Sequence, residues 1–472
     1  MKKVLFFVPH EDDEVFVGGP MIINLTKSKD YEVSVFIATN GDYYPFENRL
    51  RIKESLDGLN LMGVKKQNIY FGGYGDCWKK SHIYNSSDDT IKTSHGGFNK
   101  TYVDNKEFKE WHYLRFGSHA EYTRKNYVLD IQSLIEYLLP DIIVAVDLDS
   151  HQDHRCLSLI LDEAMRNILC SNTQYQPILL KKYAYQCVLD GDADFFYYPN
   201  PPTRKPNKAL SNPYFLWNKR IRYKVPKTCN SFFIRSSKLY KVIRKYKSQD
   251  MWKFAPGFIN SDIIYWQRQT NNLALKAKIS TTSGDAKFLN DFKLLDTDDV
   301  VSFNCNYKNL RWHPSYQDKK KLISIYLSEV SEIGYVYLYF NNEMITNTYK
   351  GNIQVFYNNN ILFRSDFSIP KSSFGIVKLD VNVKIGNKLL IDFSSCSDQI
   401  GLGEIEIIPK LQKPPFSEFI YRYKRKKIGN LVIYTLKFWD CVTFKIQKLL
   451  YRHILNSYKI KRQKFNEEIF KK

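Results

Sequence analysis

The sequence has no long apolar run, and its few cysteines show no regular spacing. No stretch approaches the roughly 20 consecutive apolar residues that a membrane-spanning helix needs. The eight cysteines among 472 residues are scattered without paired spacing. This favours free thiols in a reducing compartment over a disulfide framework or a cysteine-ligated zinc site. The start, Met1-Lys2-Lys3 and five apolar residues, is too short in its apolar part for a signal peptide, so we expect a cytoplasmic protein.

Acidic residues are outnumbered by basic ones, 49 to 70, which gives a formal net charge of +21. Such an excess indicates an anionic partner. Residues 411–472 carry 16 Lys or Arg but only 4 Asp or Glu, interleaved with aliphatic and aromatic residues. This mixture predicts a basic amphipathic helical tail suited to an anionic membrane surface. The alternative is a helical appendage packed on the body or on a partner subunit. We expect no nucleic-acid partner, because binding phosphates needs no such aliphatic bulk.

Alternating strand and helix patterns over residues 1–290 predict an α/β domain. Apolar runs of strand length occur at 4–8, 31–39, 65–71 and 141–147, and helical spacing occurs at 18–25, 48–62 and 127–139. Two closing helices are predicted at 238–246 and 262–268. Apolar strands that alternate with helices are typical of a Rossmann-like, mostly parallel sheet with helices on both faces. In such sheets, active sites collect at the carboxyl ends of the strands.

The pattern changes from about residue 291. Residues 300–409 lack helical periodicity and show short alternating strands separated by Asn, Gly and Asp turns, which predicts an antiparallel β-sandwich. We therefore divide the chain into an α/β domain (1–290), a sandwich (300–409) and the basic tail (411–472). Within the first domain, the long polar segment between residues 76 and 123 is expected to form a lid or wall of a site, or to be partly disordered.

Two clusters of imidazoles and carboxylates follow strands of the predicted sheet. The first is His10-Glu11-Asp12-Asp13-Glu14, and the second is Asp149-Ser150-His151-Gln152-Asp153-His154. Burying unpaired carboxylates costs several kcal/mol each, so the first cluster should face a cation. Zinc takes imidazole and carboxylate ligands, and a catalytic zinc keeps one position open for water. Helix N-caps are the alternative interpretation of either cluster.

A zinc site can be assembled from both clusters. Two imidazoles and one carboxylate from His10, Asp13 and either His151 or His154 would supply its ligands. Asp12, aimed differently, is then free to act as a base. The remaining histidine could polarise or protonate a reacting oxygen.

The first cluster, with Pro9 before it, resembles the P/A-H-x-D-D-E motif of the PIG-L/LmbE-type zinc-dependent N-acetyl-sugar deacetylases. Ser150-His151-Gln152-Asp153-His154 resembles the H-P-D-H motif of that family, with Gln152 in place of the usual Pro. Lesser matches are Thr39-Asn40-Gly41-Asp42, Arg51-Ile52-Lys53-Glu54 with Gly63-Val64, Gly73-Tyr74-Gly75-Asp76, Tyr246-Lys247-Ser248-Gln249 and Ser261-Asp262. The resemblance spans roughly residues 1–290.

The resemblance implies a role for each matching residue of the two main motifs. His10, Asp13 and His154 would hold Zn²⁺. Asp12 would be the general base that deprotonates the attacking water. His151 would stabilise the oxyanion or serve as the acid for the departing amine.

Three further residues receive weaker assignments from the resemblance. Arg51 and Asp76 fall where the family contacts sugar hydroxyls, and a structural role is the alternative for both. Glu14 is expected in a supporting position behind the ligands or at a helix start. Glu11 receives no role.

The predicted sandwich resembles galactose-binding-like, discoidin-type modules. The resemblance rests on Trp312, the run 322–327 and the final strand 403–409. It implies carbohydrate binding, and the alternative is a structural module that holds the catalytic domain or an oligomer.

Taken together, the sequence predicts a zinc-dependent hydrolase that removes an N-acetyl group from an amino sugar in a glycan, glycolipid or sugar conjugate. We expect it in the cytoplasm, peripherally on the inner face of the membrane. One alternative is a noncatalytic glycan- or membrane-binding protein with a vestigial metal site. Another is a zinc amidohydrolase that acts on a non-sugar amide.

Overall fold

The computed structural model describes residues 1–44, 46–78, 82–185, 202–203, 205, 212–230, 234–251, 259–301, 309–342, 345–420 and 430–470. Within them, the helices are α1 (Asp13–Leu25), α2 (Asn48–Met62), α3 (Trp111–Phe116), α4 (Arg124–Leu138), α5 (Gln152–Ser171), α6 (Lys238–Ile243) and α7 (Asn430–Phe470). The strands are β1 (Lys2–Val8), β2 (Tyr31–Thr39), β3 (Ile69–Tyr74), β4 (Ile142–Val146), β5 (Ile178–Lys182), β6 (Ile221–Lys224), β7 (Asp262–Arg268), β8 (Lys278–Thr281), β9 (Asp296–Thr297), β10 (Asn309–Leu310), β11 (Leu322–Asn341), β12 (Lys350–Tyr357), β13 (Asn360–Ser368), β14 (Phe374–Asp392) and β15 (Leu402–Ile408).

The first sheet has seven strands in the order β3-β2-β1-β4-β5-β7-β6. Strands β1 to β5 pair in parallel, and β7 and β6 add an antiparallel edge. The apolar part of β1, from Val4 to Val8, is at most 1% exposed, because helices cover both faces of the sheet. The predicted fold class, an α/β sheet followed by an antiparallel sandwich and a helical tail, is confirmed.

The strand order reverses beside β1, and this reversal positions the site. The chain moves outward from β1 to β2 and β3, then returns to β4 on the other side of β1. The β1–β4 pairing runs from Val4 opposite Ile142 to Phe7 opposite Ala145, so both strands end at the same edge. Ligands of open α/β sheets bind at such a switch point. The first cluster follows β1 and the second follows β4, so the topology brings them together.

Residues 262–268 form strand β7, so the helix predicted there is wrong. The segment is antiparallel to β5 and to β6, and six of its seven residues are buried. A short run that is buried throughout has no clear period of two, and periodicity alone does not separate it from a buried helix. The free edge of β5 offers it backbone partners. The helix predicted at 238–246 is present as α6, Lys238–Ile243.

The second sheet bends over itself to make the sandwich. Its order is β13-β12-β14-β11-β15, and its two long strands, β11 and β14, pair along most of their length. Register shifts between Tyr326 and Tyr335 interrupt this pairing, and such bulges bend a strand. The first half of β11 also pairs with β8, while the second half pairs with β15. The apolar faces of the two halves enclose one core.

The two sheets are connected by contacts as well as by the chain. Strand β8 precedes the boundary predicted at residue 290, yet it pairs with β11 of the second sheet. The Tyr214 hydroxyl donates to the Phe340 carbonyl of β11 at 2.8 Å, and Arg268 Nη2 of β7 donates to Glu406 Oε1 of β15 at 3.4 Å. The division into 1–290, 300–409 and 411–472 stays a prediction.

Helix α7 lies with one face on the body of the protein. Gln447 and Tyr451 are each 7% exposed. The Gln447 side-chain oxygen accepts from Arg235 Nη1 at 3.1 Å, and the Tyr451 hydroxyl accepts from Arg244 at 3.2 Å. Positions spaced by three or four residues share one side of a helix. No helix in the described part of the chain is long and apolar enough to cross a membrane.

The described cysteines form no disulfide. Cys77, Cys156, Cys170, Cys229, Cys396 and Cys441 are free, and Cys187 and Cys305 lie outside the described residues.

Two adjacent glycines of α1 differ in the space around them, and substitution tests this packing. A Cβ on Gly18 would lie 2.3 Å from Cε1 of Phe6, whereas the nearest atom to one on Gly19 is Leu239 Cδ1 at 3.1 Å. Gly18→Ala should lower the free energy of unfolding by about 1–3 kcal/mol through overpacking against β1. Gly19→Ala should change it by less than about 1 kcal/mol, because Leu239 can shift and Ala favours the helix. Urea denaturation followed by circular dichroism measures both, and equal losses would contradict this packing.

Candidate metal centre

Three predicted ligands converge on one point beyond the ends of β1 and β4. His10 Nδ1 is 3.0 Å from Asp13 Oδ2 and 3.2 Å from His154 Nε2, and the last two atoms are 3.1 Å apart. All three side chains are buried. Ligand atoms bound at about 2.0–2.2 Å to a tetrahedral zinc lie roughly 3.3 Å from one another. The donor set and its spacing therefore fit a zinc ion.

Local backbone structure places these three ligands. His10 follows the end of β1, and its carbonyl accepts from the backbone N–H of Asp12 and of Asp13 in a tight turn into α1. The His10 N–H in turn donates to Asp13 Oδ2 at 3.2 Å. His154 lies in the first turn of α5, which is capped by His151. The two helix starts thus present their ligands to the same point.

A carboxylate holds the other nitrogen of each ligating imidazole. His10 Nε2 is 3.1 Å from Asp153 Oδ2, and His154 Nδ1 is 2.8 Å from Asp149 Oδ2. Such carboxylates fix the tautomer and the ring orientation of metal-binding histidines. The sequence reasoning assigned Asp149 and Asp153 no role. Their position beside the histidines in the second cluster is the sequence feature that could have indicated this role.

The two orienting carboxylates are themselves anchored. Asp149 Oδ2 accepts from the backbone N–H of Ala184 and of Tyr185, both at 3.0 Å. Asp153 accepts from the Cys77 N–H at 3.0 Å and lies 3.0 Å from His82 Nε2. The polar segment after Asp76 therefore contributes to the support of the metal centre.

The electrostatics favour a positive charge at the centre. Burial lowers the pKa of His154, but the charges of Asp13 and Asp149 outweigh burial and raise this pKa to about 9. Burial alone would raise the pKa of Asp13. The positive charge of His154 and the hydrogen bond to His10 outweigh burial and hold this pKa well below its usual range. The three residues together stabilise a cation in a buried place.

Asp12 has a different environment from its neighbour Asp13. It lines the cleft above the centre, and its nearest cation is Arg51, with Asp12 Oδ1 4.0 Å from Arg51 Nη2. Burial and the charge of Asp13 raise the pKa of Asp12 well above its usual value. Adjacent carboxyl groups whose pKa values are driven apart are suited to different tasks.

His151 lies at the side of the cleft and is less buried than the three ligands, with a side chain that is 29% exposed. Its Nδ1 accepts from the Asp153 N–H at 3.3 Å, so the neutral ring carries its proton on Nε2. Burial and the positive charge of His10 lower the pKa of His151 to about 4. With Nδ1 accepting this hydrogen bond, a neutral His151 ring offers its Nε2–H as a donor. Ligand atoms of His10, His151 and His154 lie within 4.8 Å of one another.

Arg51 and Asp76 line the cleft and pair with each other. Arg51 Nη1 lies 3.2 Å from Asp76 Oδ2, and Asp76 Oδ1 lies 3.3 Å from His10 Nε2. Arg51 also faces Glu11, with Nε 3.6 Å from Oε2, which gives Glu11 the partner that sequence reasoning did not find. Gly41, at φ +63°, allows this approach, because a Cβ there would lie 2.5 Å from Glu11 Oε2.

Glu14 supports the packing of helices. Its carboxylate accepts from the Ser55 hydroxyl and from the Tyr246 hydroxyl, the latter at 2.6 Å. Glu54 of α2 likewise accepts from the Ser248 hydroxyl at 2.7 Å. The late Tyr-Lys-Ser-Gln motif thus packs on the Arg-x-x-Glu helix, and one residue of each segment, Gln249 and Arg51, lines the cleft.

The centre opens into a cleft of about 540 Å³. Aromatic rings contribute much of its lining, from Tyr43, Tyr44, Trp78, His95, His151 and Tyr185. Tyr43 and His95 stack with ring centroids 4.1 Å apart. The segment 76–123 was expected to form a lid or wall, and Cys77, Trp78 and His95 of this segment do line the cleft.

Solved structures similar to this chain are carbohydrate-binding modules and related domains. A fucose-binding module of Streptococcus pneumoniae is 18% identical, covering 30% of this chain and 98% of that chain with a TM-score of 0.24. A family 32 carbohydrate-binding module of Clostridium perfringens, solved with galactose, is 14% identical, with coverages of 28% and 92% and a TM-score of 0.21. The C-terminal domain of a chitobiase of Bacteroides fragilis is 14% identical, with coverages of 29% and 94% and a TM-score of 0.23.

No curated protein matches the chain. Residues 5–165 match the PIG-L family, described as GlcNAc-PI de-N-acetylase. This segment begins in β1 and ends in α5, so it includes both clusters and all three residues of the centre. Galactose-binding-like lectin domains are similar to the C-terminal region, and the resemblance to the PIG-L family seen in the sequence is confirmed. The chain thus carries a PIG-L domain at residues 5–165.

Proposed function

We propose that the protein is a zinc-dependent hydrolase that removes an N-acetyl group from an amino sugar in a glycan, glycolipid or sugar conjugate. The observation that carries the proposal is the convergence of His10, Asp13 and His154 beside Asp12. The family of residues 5–165 supports the reaction class, because its description names a de-N-acetylase.

Zinc held by His10, Asp13 and His154 would polarise the acetamide carbonyl and lower the pKa of the attacking water. Asp12 takes one proton from this water as its oxygen bonds to the carbonyl carbon. The Nε2–H of His151 donates a hydrogen bond to the oxygen on which negative charge develops. When the C–N bond breaks, the proton held by Asp12 passes to the departing amine. The products are acetate and the free amino sugar.

The cleft supports a sugar as the bound group. Tyr43, Tyr44 and Trp78 line it and offer flat apolar surfaces beside polar groups, as small-molecule sites commonly do. Arg51 and Asp76 provide a donor and an acceptor close to His10, within reach of sugar hydroxyls. We assign both residues to substrate binding.

We also propose that α7 lies on an anionic membrane surface, which would place the enzyme on the inner face of the membrane. Among the α7 side chains that the structure describes, nine large apolar ones are exposed: Leu431, Val432, Tyr434, Phe438, Trp439, Ile446, Leu449, Leu450 and Ile460. Lys437, Lys445, Lys448, Arg452 and Lys459 are exposed on the same helix. Exposed apolar and basic side chains on one helix are typical of interfacial binding.

Replacing the proposed base tests the reaction. Asp12→Asn should reduce kcat for acetate release from N-acetylhexosamine substrates by about 100-fold or more, because the amide does not accept the proton. Its zinc content should equal that of the unmodified protein, since Asp12 is outside the ligand set. Asp57→Asn, at an exposed position of α2, is the matched control. Full activity of Asp12→Asn would exclude this mechanism, and absence of zinc from the unmodified protein would favour a noncatalytic role.

Replacing an orienting carboxylate tests the metal centre separately. Asp149→Asn should weaken zinc binding by about 10–100-fold, because His154 loses the group that fixes its ring. A competition titration with a chelator measures the affinity without any substrate. Glu14→Gln is the control, since the hydrogen bonds of Glu14 go to Ser55 and Tyr246. Equal weakening by Glu14→Gln would show that the effect is not specific to the orienting group.

Membrane binding can be tested with vesicles of phosphatidylserine and phosphatidylcholine. The unmodified protein should sediment with them, and binding should weaken as salt increases. A chain ending at Pro415 should lose binding, and so should the double variant Phe438→Ser with Trp439→Ser. Tyr316→Ser removes an aromatic side chain of the sandwich that is 82% exposed, and it should bind as the unmodified protein does. Undiminished binding of the shortened chain would disprove the membrane role of α7.

A further inference from the structure

The wall of the cleft contains one residue from the far end of the chain. Arg462 of α7 lines the same cleft as His10, Asp12 and His151. It lies 415 positions from its partner Glu47 and outside the segment that matches the PIG-L family. The family match therefore gives this residue no role.

Arg462 is held in a fixed orientation. Its Nε donates to Glu47 Oε1 at 2.9 Å, and its Nη2 donates to Glu47 Oε2 at 3.1 Å. The guanidinium carbon lies 5.0 Å from the centroid of the Tyr44 ring. A bidentate carboxylate and an aromatic face together restrict a guanidinium strongly. Glu47 itself is 3% exposed and precedes α2, so the anchor is a buried residue of the α/β domain.

The guanidinium retains donors that can reach a ligand. An arginine has five N–H groups, and the bonds to Glu47 use two of them. The contacts with described residues leave three donors, two of them on Nη1, and the side chain is 40% exposed. Among the residues that the structure describes, Glu47 is the carboxylate that Arg462 pairs with. A fixed guanidinium with remaining donors is suited to a second, planar or tetrahedral anion.

The other arginine of the cleft differs in its charge balance. Arg51 is 8% exposed and lies within 4.0 Å of carboxylate oxygens of Glu11, Asp12 and Asp76. Three carboxylates thus surround the inner guanidinium, whereas one faces the outer guanidinium. An anionic part of a ligand would be repelled near Arg51 and attracted near Arg462.

We propose that Arg462 determines specificity by binding a phosphate group that the substrate carries next to its N-acetylated sugar. This inference depends on the proposed function for the identity of the sugar. The acetamide would lie at the metal centre, with Arg51 and Asp76 at the sugar, while Arg462 binds the phosphate at the outer wall. The phosphate could belong to a lipid headgroup or to a soluble sugar phosphate, since both present the same group.

The proposal can be tested by measuring ligand binding to the full-length protein with Asp12→Asn. This variant should not hydrolyse the ligand during the measurement. Calorimetry would compare N-acetylglucosamine 1-phosphate with the neutral methyl glycoside of N-acetylglucosamine. Adding Arg462→Gln should weaken binding of the phosphate about 10-fold or more, because a charge-assisted pair is lost. Binding of the neutral glycoside should stay within about twofold. Arg115→Gln, at an exposed arginine of α3 that does not line the cleft, should change neither.

Glu47→Gln separates ligand binding from a purely structural ion pair. If Arg462 only holds α7 on the body of the protein, Glu47→Gln and Arg462→Gln break the same contact. The two variants should then weaken binding of the sugar phosphate equally. If Arg462 binds phosphate, removing the competing carboxylate leaves the guanidinium charge and should preserve or strengthen phosphate binding. Equal losses in the two variants, or equal losses for the charged and neutral sugars, would overturn the proposal.

The source of the phosphate and the proposed reaction are tested in separate arms. Vesicles that contain a phospholipid-linked N-acetylglucosamine would be compared with the soluble sugar phosphate. Arg462-dependent binding of either probe supports the proposal and identifies the source, and its absence with both refutes it. Acetate release by the chain with Asp12 intact is measured independently. Arg462-dependent binding without acetate release would refute the hydrolase and retain the phosphate site.

Discussion

The site depends on the pairing of β1 with β4. These strands are separated by more than 130 residues of sequence, yet Val4 to Phe7 lie opposite Ile142 to Ala145, and the two ends therefore share one edge. His10 and His154 approach to 3.2 Å only because of this pairing. The apolar runs that form the strands are also what buries the ligands. The same core thus supplies both the position of the candidate metal centre and the low-dielectric surroundings in which its charges act strongly.

A buried group of carboxylates is tolerable because each one has a compensating partner. Asp13 and Asp153 each face two imidazoles, Asp149 faces one, and Glu11 faces Arg51. Breaking a buried pair leaves an uncompensated charge, which is costly. This constraint explains why the cluster is dense: the ligands, the groups that orient them and the arginine that neutralises the rest form one network. Asp12 differs because it lines the cleft and lies as far as 4.0 Å from the Arg51 guanidinium.

The sequence predicts features that depend on residues close together in the chain. It does not predict contacts between residues that are far apart in the chain. The two clusters, the parallel sheet and the sandwich follow from apolar runs and from short motifs. The strand at 262–268 was predicted as a helix because a run buried on both faces has no period of two, and the free edge of β5 decides its structure. The partners of Glu11 and Glu14 come from α2 and from Tyr246. A single sequence does not show which residues of distant elements lie next to each other in the fold.

The packing of α7 on the body of the protein is compatible with the membrane contact proposed for this helix. The residues that pack on the body, Gln447, Tyr451 and Arg462, recur at helical intervals and share one side. Phe438 and Trp439 are exposed and project elsewhere on the same helix. Binding of the exposed side chains to a surface therefore leaves the pair between Arg462 and Glu47 intact. A helix with these two faces would hold the wall of the cleft at the surface where a lipid-borne substrate is presented, so that binding to the membrane and recognition of the substrate use different side chains of one rigid element.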